Sequence, residues 1–151
     1  MAVASAPRRV LVVSNETVGA ETLHRTLAAQ AGVAEVFVVA PALNTRLRHW
    51  LSDEDPARQA AAARLRSCLS ALAAAGVDAD GRVGDADPLQ AIEDALAVFP
   101  ADELLIATHP EERSNWLAHD LVARACARFS LPVLHLVVHH VGAAAVPLVA
   151  A

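Results

Sequence analysis

The 151-residue chain has no lysine: all 12 of its basic residues are arginine. That absence excludes chemistry built on an amine, including a P-loop lysine, a Schiff base or the switch lysine of a phospho-receiver domain. Tyrosine is also missing and aromatics are 3% of the chain, too few for a base-stacking surface on single-stranded nucleic acid. Positive charge is short overall. The net charge of −5 and a pI near 5.7 have the wrong sign for a phosphate-backbone binder, so no nucleic-acid partner is expected. Cysteine occurs twice, at Cys68 and Cys126. The pair is far apart and neither sits in a CxxC, so two buried, reduced thiols in a cytoplasmic protein are expected instead of a disulfide framework or a metal site. No GxGxxG, HExxH or Ser-His-Asp elbow occurs, which leaves catalysis without a positive signal. No signal peptide is expected, because Arg8 and Arg9 follow the apolar stretch 1–7 instead of preceding it. Residues 131–151 are long enough to cross a bilayer, but Pro132, Pro147, His135, His139 and His140 argue against a span.

What the chain does have is apolar residues in a rhythm. Hydrophobic residues are 55% and charged residues 19%, with a mean hydropathy of +0.37, enough to build one domain's core. The β-branched run 10–13 reads as a strand buried on both faces. A turn follows it, with Thr17 a plausible N-cap. A helix is expected over 20–31, ending at Gly32, then a strand over 36–39 stopped by Pro41. After a polar connection, Asp55-Pro56 reads as the N-cap and first position of a helix over 57–75 that ends at Gly76. A weaker strand over 77–83 is expected near the sheet edge, since Asp78, Asp80 and Gly81 interrupt it. Asp87 and Pro88 then open a helix over 89–98, with Gln90 at the capping-box position. A strand over 104–107, a polar loop over 108–115, a helix over 116–129 and a strand over 133–138 complete the pattern. The apolar tail 141–151 carries no recognisable element. Strands and helices in alternation predict an α/β, single-domain, Rossmann-like fold with a parallel sheet and helices on both faces. In such a fold ligands lie at the carboxyl ends of the strands. Here those ends are Ser14-Asn15, Ala40-Pro41, Gly84-Asp85 and Thr108-His109.

The segment from Arg9 to Asn15, the loop from Val83 to Pro88 with Ile92, the segment from Ala101 to His109, and the strand around Leu134 carry a resemblance. Over roughly residues 8–139 the chain resembles the universal stress protein family. The resemblance implies a five-stranded parallel sheet in the order 3-2-1-4-5, a domain over 8–139 with short terminal extensions at 1–7 and 141–151, and a homodimer through the last strand. The apolar tail 141–151 can wrap that seam, or alternatively fold back over its own strand and leave the protein monomeric. It also implies an adenine-nucleotide site. The family's first strand typically ends in Asp where this chain has Asn15. The glycine positions of the family's phosphate loop, laid on this chain without a gap, fall on Ala107, Pro110, Asp120 and Leu121. Proline has no N–H to offer a phosphate, and Asp120 would set a carboxylate against it. The family's usual ATP cradle is therefore expected to be lost.

The candidate ligand set is Ser14, Asn15, Thr17, Pro41, Asn44, Gly84, Asp85, Thr108, His109, Arg113, Ser114 and Asn115. Two readings of Arg113, Ser114 and Asn115 stand side by side. They can replace the glycine cradle with side chains that hold a small anion. Alternatively Ser114 or Asn115 only caps a helix, and Arg113 pairs with Glu111 or Glu112. The segment Arg46-Leu47-Arg48-His49-Trp50 reads equally as a lid over an anionic ligand or as a surface patch. The expected function is a non-enzymatic, stress-related regulatory or ligand-sensing module with no resident cofactor, and the alternative is weak adenine-nucleotide binding through a rebuilt loop.

Overall fold

A computed structural model of the chain describes residues 8–14, 25, 27, 33–42, 54–74, 76–108, 112–137 and 146–150, with the backbone alone for 33–34, 54–55, 108, 112–119, 137 and 146–150. The β-branched runs form the strands expected of them. These are β1 (Arg8–Ser14), β2 (Val33–Pro41), β3 (Ala79–Gly84), β4 (Glu103–Thr108) and β5 (Val133–Val137). They pair in parallel in the order β3-β2-β1-β4-β5. The helices are α1 (Glu54–Ala74), α2 (Pro88–Val98) and α3 (Glu112–Arg128). The helix expected over 20–31 lies mostly outside the described residues. Arg25 and Leu27 within it are helical, and Leu27 is buried.

The period of two along each strand sorts the side chains into two cores. Val10, Val12, Val36, Val38, Leu105 and Leu136 turn to one face. There α1 covers them with Ala61, Leu65, Cys68 and Leu72, a stripe at helical spacing. Leu11, Val13, Leu104, Ile106 and Val133 turn to the other face, against Leu89, Ile92 and Ala95 of α2 and Leu121, Val122 and Ala125 of α3. Helices thus cover both faces, as a parallel sheet requires.

Local signals explain most boundaries. Gly76 has φ +82 and ends α1. Its N–H donates to the Ala73 carbonyl at 3.0 Å, and the Val77 N–H donates to the Leu72 carbonyl at 2.9 Å, the paired bonds of a Schellman stop. Asp87 caps α2, its carboxylate accepting the Leu89 N–H at 3.1 Å. The capping box does not close, because Gln90 Nε2 donates instead to Asp94 Oδ1 at 2.9 Å. Helix α1 begins at Glu54, before the expected Asp55 cap. Pro56 is accommodated because N–H groups in a first turn have no intrahelical acceptor to lose.

Three further expectations are corrected. Helix α3 begins at Glu112 and not at Trp116. Acidic residues suit a helix start, where they face the positive end of the dipole, and the polar segment was a first turn in place of a loop. Cys126 is exposed, and only Cys68 is buried. The tail supplies a sixth strand, β6 (Val146–Ala150), antiparallel to β5. The β5 edge expected to join two copies is therefore taken within the chain. No helix among the described residues is long and apolar enough to cross a membrane.

Candidate functional site

The register fixes which residues meet at the carboxyl ends of the strands. Ser14 ends β1 beside Ala107, Pro41 ends β2 beside Gly84, and Thr108 ends β4 beside Val137. Four members of the candidate set, Ser14, Pro41, Gly84 and Thr108, thus share one end of the sheet, and Asp85 follows Gly84 directly. Ser14 is buried. The Ala42 N–H donates to the Gly84 carbonyl at 3.2 Å and closes β2 onto β3 beyond their last pair. Asn15, Thr17, Asn44 and His109 lie outside the described residues, as do Arg46, Arg48, His49 and Trp50.

Gly84 has a packing reason to be glycine. A Cβ there would stand 2.6 Å from the Ala91 Cβ and 2.8 Å from Val39 Cγ2. The missing side chain lets α2 close on the sheet. Asp85 is exposed, and its carboxylate accepts the Asp87 N–H at 2.9 Å, which pins the loop that starts α2. Both residues build the rim of the crevice.

Arg113, Ser114 and Asn115 fall in the first turn of α3. None of the three precedes the helix, so the capping role expected of Ser114 or Asn115 is corrected. Only residues 109–111 separate β4 from α3. Of the positions on which the family's glycines fall without a gap, Asp120 lies inside α3. Asp120 does not stand at a helix start. It lies about two turns into α3, exposed and 3.7 Å from Arg124 in an i,i+4 pair.

The sequence reading missed Arg64. It reaches from α1 to the carboxyl end of β2, where Nη2 donates to the Pro41 carbonyl at 3.1 Å. One signal was present: Arg64 is three residues after Ala61, on the flank of the buried stripe, so its stem had to run toward the sheet.

The opposite end of the sheet carries a different chemistry. A hollow of about 330 Å³ lies there, lined by Glu35, Phe37, Asp78, Asp80, Val98 and Phe99 among others. Three of its lining residues are carboxylates, and Arg9 pairs with one of them, Glu35.

The comparisons bear on this arrangement. No protein-family model matches the sequence, and no curated protein matches it. Among solved structures the chain is similar to a universal stress protein family protein from Arabidopsis thaliana, solved with AMP bound. The two share 10% identity and a TM-score of 0.59, over 89% of this chain and 94% of that one. The chain therefore has the universal stress protein fold, with the sheet order expected of it. Two structures of the enzyme MccB are more distant. The E. coli protein with succinimide has a TM-score of 0.37 at 16% identity, and the microcin C7 biosynthetic enzyme with N-formylated MccA has 0.36 at 14%. This chain covers 86% and 85% of its own length in those matches but only 37% and 36% of theirs.

Proposed function

We propose that this chain is a non-enzymatic, cytoplasmic, stress-related regulatory or ligand-sensing module of universal stress protein type. Its carboxyl-end crevice takes a small anion and does not hold ATP in the usual way. The observation that carries the reading is the start of α3 at Glu112, four residues after Thr108 ends β4. A loop that wraps a triphosphate needs several successive N–H groups and close backbone approach, and proline at 110 has no N–H to offer. What supports a smaller anion is the N-terminal turn of α3, the positive end of its dipole, together with the Arg64 guanidinium at the carboxyl end of β2.

The second reading, adenine-nucleotide binding through a rebuilt loop, is favoured by the AMP in the Arabidopsis neighbour. A monophosphate asks for one anion-binding turn and not two. Thermal unfolding with ATP, ADP, AMP, cyclic AMP and inorganic phosphate separates the readings. With a Kd above roughly 100 µM, 1 mM ATP adds at most about 1.4 kcal/mol of stability. Low-micromolar binding would add about 4 kcal/mol and would sink the proposal.

A further inference from the structure

We infer that β6 terminates the sheet and that Pro147 is the residue that closes its outer edge. The parity of the hydrogen bonds carries the argument. Leu104 stands in register with Val133, and its N–H donates to the Pro132 carbonyl at 2.9 Å. In a parallel ladder a residue bonds the neighbours on either side of its register partner. Residues 132, 134 and 136 therefore turn their backbone groups to β4, and Val133, His135 and Val137 turn theirs away from it. On β6 the register partners of those three are Ala150, Leu148 and Val146. These are the bonded pairs of the antiparallel ladder. The alternate pairs, Leu134 with Val149 and Leu136 with Pro147, are non-bonded. So Pro147 and Val149 direct their backbone groups away from β5, to the outer edge.

Proline has no N–H. Of these two outward residues only Val149 can donate, so a further strand laid along β6 would find one of the two donors missing, although both carbonyls remain to accept. This is how proline blunts an edge that would otherwise invite another chain. Nothing else in the tail does so, since residues 141–151 carry no charge. The other edge strand, β3, is protected differently, by exposed Asp80 and Arg82. The tail thus occupies the β5 edge and leaves no equivalent edge in its place. The seam expected to pair two copies is closed by the chain's own last strand.

Two measurements on the full chain test this. Amide hydrogen exchange by NMR reads the parity in the unmodified protein. Leu148 and Ala150 N–H groups should exchange at least about tenfold more slowly than that of Val149. Equal protection at Val149 would mean that another strand pairs with the outer edge, and would overturn the inference. Light scattering on Pro147→Val reads the block itself. Restoring the donor should make the molar mass rise with concentration from micromolar to millimolar, while the unmodified chain stays constant. A variant that scatters like its parent would equally overturn it.

Discussion

The two ends of the parallel strands are built for different work. At the amino ends, side chains cross-tie the sheet. Arg8 pairs with the buried Glu103. Arg9 holds Glu35 at 3.0 Å and the Pro100 carbonyl at 3.3 Å, while its backbone N–H donates to Asp102 at 3.0 Å. The same guanidinium lies 4.6 Å over the Phe99 ring, which stacks on Phe37 at 5.2 Å. One arginine thereby joins β1, β2 and the turn before β4. At the carboxyl ends the described contacts are backbone hydrogen bonds and short polar links, such as Ala42 to Gly84 and Arg64 to Pro41. Among the described residues, the side-chain ties at the amino end join β1, β2 and β4 and hold their register. In an open α/β sheet ligands lie at the carboxyl ends of the strands, so ties at the amino end can hold the fold without entering a site.

Substitutions can break that comparison, beginning with the ring under Arg9. Phe99→Ala should destabilise by about 3–5 kcal/mol in chemical denaturation, because a buried ring leaves a cavity and takes the Phe37 stack with it. A loss below about 1 kcal/mol would mean that the amino end does not anchor the fold. Gly84→Ala comes next, at about 1–3 kcal/mol, since the new Cβ meets Ala91 and Val39 inside contact distance. An unchanged midpoint there would return Gly84 to the list of ligand residues without a packing role. Arg9→Ala should cost about 1 kcal/mol or less, because the ion pair is largely exposed and water screens it. Raising the salt concentration should shrink that difference.

The smallest effect at neutral pH belongs to Cys68, which lies on the α1 face away from both ends. Burial pushes its thiol up from 9.0 to about 11. The folded chain therefore keeps a proton that the unfolded chain releases between these values, and stability should fall as pH rises from about 9 to 11. Cys68→Ala should flatten that alkaline slope. At neutral pH a thiol reagent should modify the exposed Cys126 and reach Cys68 only on unfolding.

How much was legible follows from the same contrast. Strands such as Val10 to Val13 announce themselves, because burial on both faces demands an unbroken apolar run. Gly76 and Asp87-Pro88 mark their helix ends by backbone requirements that few residues meet. The carboxyl end was read less well. Glu112 and Arg113 look like a loop by polarity, yet an acidic residue also suits a first helical turn, and only the neighbouring strand decides between the two. Arg64 was hidden in an alanine-rich helix, since its role depends on which face meets the sheet. The tail strand had no local signal. Residues 146–150 contain a proline, and their pairing depends on β5, which itself becomes an edge only once the strand order is set.

Isothermal titration calorimetry of the full chain with ATP at 25 °C tests the central claim most directly. The start of α3 at Glu112 and the proline at 110, which has no N–H, predict a Kd above roughly 100 µM, or less than about 6 kcal/mol of binding free energy. A stoichiometric transition with a low-micromolar Kd would contradict the account, and would require the first turn of α3 to hold the triphosphate after all.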